Sequence, residues 1–290
     1  MTFSSRSALP IGIFDSGVGG LTVLKALRRA LPEETFLYLG DTARLPYGTK
    51  SPDTVRAYAL SANEILVERG IKLLVVACNT ATAVALPALQ QKFAPLPVIG
   101  VISAGAKAAL TLPTQDPVIV LATESTVKWH AYQAHLAQLA PGRAIIEWPC
   151  QLLVALAEEG WCQGALVEQI IQRVLAPLFD RLKQAQITPG CFLLGCTHFP
   201  VLRVAMQSAL GEQTLIVDPA EAVAEEVKAL LVSQGLHSAH RSGAVYFMAT
   251  DGVERFARVA EIFLGEPIAP GQVEWVNLGG ALPETALKSA

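Results

Sequence analysis

The chain has 290 residues, a formal net charge of −3, 52% hydrophobic residues and only 16% charged ones. That balance supports one large domain or two of average size around a sizeable core, and it excludes wholesale disorder. No basic stripe tracks a phosphate backbone, which argues against nucleic acid or an anionic membrane as partner and in favour of a small molecule.

The opening segment, "MTFSSRSALPIGIFD", carries one arginine and a short apolar stretch before Asp15, too little for a signal peptide. "IGIFD" (Ile11–Asp15) reads as a strand. After the turn "DSGVGGL", Leu21, Leu24, Leu27 and Leu31 fall at helical spacing until Pro32. "TFLYLGD" (Thr35–Asp41) is the next strand, followed by the polar loop "GDTARLPYGTKS". A helix then starts with Ser51 as N-cap and Pro52 at the first helical position, and it stops at Gly70. The strand "LLVVAC" ends at Cys78 and leads into a helix expected to break near Pro87.

The alternation continues. "PVIGV" precedes a helix to Leu110, "PVIVLAT" a helix from Ser125, and "AIIEW" a long helix within Gly164–Gln186. "CFLLGC" ends at Cys196. "TLIV" (Thr214–Val217), a helix from about Pro219, "AVYFM" (Ala244–Met248) and a helix from about Gly252 complete the series. The longest apolar stretches are interrupted by Lys72, Asn79, Lys107 or Glu168, short of the ~18 residues that a membrane span needs. Strands alternating with helices predict an α/β fold whose mainly parallel sheet is flanked by helices, with ligands at the carboxyl ends of the strands. Asp15, Asp41, Cys78 and Cys196 all fall at such ends. The two cysteine segments are locally alike, which predicts a weak internal duplication with one thiol per half, facing across a single cleft.

"DSGVGGL" is placed to hold an anion or simply to turn tightly through positive φ. It is not a dinucleotide fingerprint, since Thr22 stands where the third glycine belongs, and no Gly-Lys-Ser/Thr closes it as a phosphate loop. Asp15 and Ser16 at the strand tip could orient an ammonium or a proton acceptor. Tyr47 and Gly48 offer a hydroxyl and a backbone N–H, or else form a proline-initiated turn.

The five cysteines, odd in number and irregularly spaced, form no disulfide framework, so the chain reads as a reduced cytoplasmic protein. Cys150, Cys162 and Cys191 read as small core residues. Cys78 and Cys196 each precede a predicted helix, whose N-terminus favours a thiolate and lowers the thiol pKa. A phosphatase Cys-x5-Arg is absent, Cys191, Cys196 and His198 make no recognised zinc site, and there is no Cys-X-X-Cys pair. Cys/His nucleophilic catalysis would leave Cys78 without a role. Inversion of a stereocentre by proton transfer needs an acid on one face and a base on the other, and two thiols across a cleft suit it. His130, His135, His237 and His240 lie in polar stretches and read as solvated.

Together "IFDSGVGGLTV", "YLGDTARLPYGTKS", "VVACNTATAVALPAL" and "LLGCTHFPVL" resemble the glutamate racemase family of the aspartate/glutamate racemase superfamily, in the family's order from Ile11 to Leu202. The resemblance implies a cofactor-independent, metal-free isomerase that interconverts L- and D-glutamate and supplies D-glutamate for peptidoglycan. It implies two similar α/β lobes with the site between them, 1–101 with 218–290 as the first and 102–217 as the second. Cys78 would exchange the α-proton on the D face, assisted by Asp15, and Cys196 on the L face, assisted by His198. Asp15, Ser16, Tyr47, Gly48, Asn79, Thr80, Thr126, Thr197 and His198 would hold the substrate's carboxylates and ammonium, with Glu158 and Thr123 standing behind them. Hydrogen-bond donors at Ser16, Gly48, Asn79, Thr80 and Thr197 would meet the charge that develops on the carboxylate.

The sequence also departs from the family. A Gly-Thr-x-Gly-Thr stretch reads "ATEST" (Ala122–Thr126), keeping Thr123 and Thr126, and Trp129 follows where small residues are common. Glu158 falls where the family has an acidic residue near the site. Relatives acting on aspartate or a hydantoin, and an inactive fold kept for binding or regulation, are the alternative readings. Relatives are often homodimers, and the sequence leaves that assembly open.

Overall fold

The computed structural model describes residues 6–238 and 242–278. In chain order the first part comprises β1 (Ile11–Asp15), α1 (Leu21–Ala30), β2 (Phe36–Gly40), α2 (Pro52–Glu68), β3 (Leu73–Val76), α3 (Asn79–Phe93), β4 (Val98–Gly100) and α4 (Val101–Leu110). Next come β5 (Val118–Ala122), α5 (Glu124–Lys128), α6 (Ala131–Leu139), β6 (Ile145–Pro149), α7 (Gln151–Glu158), α8 (Ala165–Gln184), β7 (Cys191–Gly195), α9 (Arg203–Leu210) and β8 (Ile216–Val217). The chain ends through α10 (Pro219–Ser233), β9 (Val245–Ala249), α11 (Val253–Leu264) and β10 (Val273–Trp275).

The strands form two parallel sheets, ordered β10-β9-β2-β1-β3-β4 and β6-β5-β7-β8. The run β2-β1-β3-β4 in the first has the same winding as β6-β5-β7-β8 in the second. The expected duplication is therefore visible as topology: β3 and β7, the strands that precede Cys78 and Cys196, are equivalent. In each sheet the chain winds first to one side and then to the other, reversing between β1 and β3 and again between β5 and β7. Such reversals open a crevice at the strands' carboxyl ends. One of three apolar clusters among the described residues spans both sheets, running from Ile11 and Leu24 through Val101 to Ile119 and Phe192.

Local sequence explains most elements. Ser51 caps α2, its hydroxyl accepting from the Thr54 N–H at 3.3 Å, and Gly70 ends that segment at φ +76°. Lys72 and Glu34, both fully buried, form an ion pair near the start of β3, with the ammonium also donating to the Ser7 carbonyl at 2.7 Å. Some expectations are corrected. Helix α3 runs through Pro87 rather than breaking there. Proline forfeits one backbone bond, and the buried face of Ala81, Ala85 and Leu89 holds the helix together. The helix expected from Ser125 is two helices, divided where His130 adopts φ 49°. The short edge strand β10 escaped the sequence reading because two of its residues, Glu274 and Trp275, are exposed. Among the described residues no helix is long and apolar enough to cross a membrane.

Candidate active site

Both thiols line one narrow cleft between the sheets' carboxyl ends, together with Ser16, Tyr47, Gly48, Asn79, Thr80, Thr123, Glu158, Thr197 and His198. Cys78 is the N-cap of α3, its sulfur accepting from the Ala81 N–H at 3.4 Å while its thiol donates to Ser16 Oγ at 3.5 Å. The helix start was expected to lower this thiol's pKa. Burial, reinforced by the charge of Asp15, instead pushes it up to about 12, outweighing the Ser16 and Ala81 hydrogen bonds. Cys78 thus rests as a thiol.

Cys196 differs. No α-helix starts directly behind it: a 3₁₀ turn over Phe199–Leu202 intervenes before α9. Its polar partner is His198, whose Nδ1 lies 3.8 Å from the sulfur, and the imidazole's Nε2 lies 3.2 Å from Glu158 Oε1. Burial alone would lower the imidazole's pKa. The hydrogen bonds to Cys196 and Glu158 overcome it and push His198 up to about 10. Burial raises the Glu158 carboxyl too, but His198 and Arg255 more than reverse that and hold it below the ordinary range. The result is a carboxylate–imidazolium pair aimed at one thiol, facing a second thiol that is kept neutral.

Asp15 is fully buried and is not among the cleft-lining residues. Its Oδ2 accepts from the Gly17 N–H at 2.9 Å, while Oδ1 has no hydrogen-bond partner among the described residues. Burial raises its pKa, opposed by His198 and by the N–H groups of Gly17 and Gly20.

The glycine turn before α1 is not a positive-φ turn. Gly17, Gly19 and Gly20 are absent from the positive-φ residues; they are glycines because other groups approach them. A Cβ on Gly20 would stand 2.6 Å from Asp15 Cβ, and one on Gly17 2.9 Å from a Leu45 methyl. Thr22, the residue that spoils the dinucleotide pattern, donates from Oγ1 toward the carbonyls of Gly19 (2.9 Å) and Thr197 (3.2 Å), tying the two halves together.

The hydroxyls are ordered in a chain: Thr80 Oγ1 lies 3.0 Å from Thr123 Oγ1, which lies 3.0 Å from Thr126 Oγ1. Thr126, expected to meet substrate, is fully buried behind Thr123, and it is Thr123 that lines the cleft. The Tyr47 hydroxyl is also spoken for, since it donates to the buried Asp41 carboxylate and leaves Gly48 to face the cleft. Trp129 is 43% exposed and outside the cleft. His130 is exposed and paired with Glu147 at 2.8 Å, while His240 lies outside the described residues.

Three participants escaped the sequence reading. Tyr132 on α6 donates to Asn79 Oδ1 at 2.7 Å. Gln151, the first residue of α7, lines the cleft with a buried Oε1 that has no hydrogen-bond partner among the described residues. Arg255 on α11 reaches Glu158 Oε2 at 3.4 Å. No periodicity or motif marks these positions; only the tertiary fold brings them to the cleft.

Two like-wound lobes, each contributing a thiol from the equivalent strand to one polar cleft, have the architecture of a racemase, an isomerase that must serve both faces of one carbon. Residues 11–227 match the family described as Asp/Glu/Hydantoin racemase, and the chain belongs to that family. It is 41% identical over 279 residues to a glutamate racemase of Syntrophus aciditrophicus, covering 96% of this chain and 100% of that protein. Among solved structures, glutamate racemase from Francisella tularensis in complex with D-glutamate superposes with a TM-score of 0.85 at 33% identity, covering 94% of this chain and 98% of that one. Escherichia coli glutamate racemase, solved with L-glutamate and the activator UDP-MurNAc-ala, superposes with a TM-score of 0.76 at 30% identity, covering 94% and 100%.

Proposed function

We propose that this chain interconverts L- and D-glutamate by moving a proton at the α-carbon between Cys78 and Cys196, with no cofactor, and that it supplies D-glutamate for peptidoglycan. The observation that supports this best is the equivalence of the two thiols on like-wound sheets lining one cleft. Residues 1–101 with 218–290 would form the lobe holding Asp15 and Cys78, and 102–217 the lobe holding Cys196 and His198.

In the L-to-D direction the Cys196 thiolate, beside the His198 imidazolium, takes the α-proton. The electron pair left on carbon spreads into the α-carboxylate. The Cys78 thiol then gives its proton to the opposite face, leaving a Cys78 thiolate and a Cys196 thiol. The D-to-L direction starts from that inverse state. The charge on the carboxylate is met by Ser16, Gly48, Asn79, Thr80 and Thr197, and such donors are each worth roughly 3 kcal/mol in a dry site. A narrow cleft serves the same end by excluding water that would weaken these donors.

The test is proton NMR of the purified protein with L-glutamate in D2O, with no cofactor added. Loss of the α-proton signal with D-glutamate appearing is the expected result. Persistence of the α-proton with either enantiomer would overturn the proposal, and exchange with aspartate alone would move the substrate while leaving the chemistry.

A further inference from the structure

Glu158 ends α7, in the same half of the molecule as His198, whereas Arg255 stands in the first turn of α11, which packs with the other half. The carboxylate divides its oxygens between two cations: Oε1 lies 3.2 Å from His198 Nε2 and Oε2 lies 3.4 Å from Arg255 Nη2. The same guanidinium nitrogen lies 3.4 Å from Glu159 Oε1. Phe263, two turns further along α11, meets the His198 ring edge-on with centroids 5.2 Å apart. One helix therefore touches both members of the pair that stands behind Cys196.

We propose that Arg255 is a positioning residue that holds Glu158 against His198 when the two lobes are together. This rests on the reading of His198 as the partner of Cys196 in proton transfer. His198 and Glu158 belong to one lobe and stay together whatever the lobes do, but Arg255 reaches them only from the other. With Arg255 in place one carboxylate oxygen is anchored and the other faces the imidazole. Without it the carboxylate can rotate toward solvent, for its side chain retains 17% exposure. The titratable and charged groups around the pair are Cys196 and Asp15 facing His198, His198 and Arg255 facing Glu158, and Glu159 beside Arg255. Asp251 lines the small cavity that Arg255 and Glu158 share. Arg255 is thus the one arginine or lysine within ion-pairing distance of Glu158 among the described residues.

The experiment is the pH profile of kcat/KM for glutamate in Arg255→Met, Arg255→Lys, Glu158→Gln and the Arg255→Met/Glu158→Gln double variant, with thermal melts to verify folding. In Glu158→Gln the alkaline limb should move to lower pH, because the imidazolium loses its carboxylate. Arg255→Met should move it the same way with a five- to tenfold loss of kcat/KM, Arg255→Lys should restore most of that loss, and the double variant should be no worse than Glu158→Gln alone. A purely structural arginine would lower activity without moving the limb, and its effect would add to that of Glu158→Gln; either result overturns the proposal. If Glu158→Gln itself leaves the profile in place, the reading of the Glu158–His198 pair fails and the role of Arg255 fails with it.

Discussion

Gly19 and His198 are packed so closely that a Cβ on the glycine would stand 2.5 Å from Nδ1 of the imidazole and 2.4 Å from Oγ1 of Thr197. The turn after the first strand is thus part of the wall against which the Cys196–His198 pair is set. The imidazole cannot yield freely, since Glu158 holds its far nitrogen, and the Thr197 backbone is tied to Thr22 through its carbonyl. Gly19→Ala should therefore displace the imidazole, lowering kcat at least tenfold, with an overpacking cost of about 1–3 kcal/mol. Steady-state kinetics and a thermal melt check both, and wild-type turnover in this variant would show that the turn has slack.

The environments of the two thiols are unlike, and removal of either should be severe in both directions. Cys78→Ser and Cys196→Ser each replace a thiol by a much weaker acid at a buried position, and each should lower racemisation by ~10³ or more, the upper part of the range for acid–base groups. The fold should survive, since the change is nearly isosteric. Near-wild-type rates in either variant, measured by polarimetry from L- and from D-glutamate, would refute the two-base account.

The His198 charge has a consequence for stability. Its folded-state pKa, about 10, lies above the ordinary 6.5, so the protonated form is bound more tightly in the folded protein. The stabilisation is fully present below about pH 6.5 and is lost as pH rises through about 10, where the buried thiols that titrate higher begin to contribute as well. His198→Asn should abolish this part of the loss. The difference in unfolding free energy between wild type and variant should shrink by an amount on the order of a few kcal/mol between pH 6.5 and 10. A difference that stays constant across that window in urea titrations would mean that His198 is not held as an imidazolium.

Much of this was legible in sequence because it is local. Alternating strands and helices declare a parallel sheet, and the residues that end β1, β3 and β7 stand at a ligand crevice by topology alone. What stayed hidden depends on distance in space. The lowering expected of Cys78 from its helix start was reversed by burial, which no spacing reveals. The glycines of the first turn looked like a matter of φ and proved to be a matter of contact, Gly17 with Leu45, Gly20 with Asp15, and Gly19 with Thr197 and His198 from the far half of the sequence. Thr126 and Thr123 are indistinguishable in a string of letters, yet only one faces the cleft. Arg255 sits in a part of the sequence without recognisable motif and reaches Glu158 only because α11 lies across the halves.

Gln151 is the least anticipated member of the cleft. Its Oε1 is buried without a hydrogen-bond partner among the described residues and would lie 2.7 Å from a Cβ on Gly48, so the amide stands beside the one backbone position that the sequence assigns to substrate. A buried polar group left unpaired is costly, and one at a binding site is paired when the ligand arrives. By rotating, the amide can turn its NH2 toward a substrate carboxylate, adding a neutral donor on the side of the cleft lined by Gly48 and Thr123. Such an interaction serves ground state and transition state alike, so its loss should appear in KM. Gln151→Leu should raise KM for glutamate about tenfold, the effect of one hydrogen bond to a charged group, with kcat within about threefold of wild type. Gln151→Glu should cost more, roughly a hundredfold in kcat/KM, because it sets an anion against a dicarboxylate. Wild-type KM in Gln151→Leu would show that the amide faces the cleft without touching the substrate.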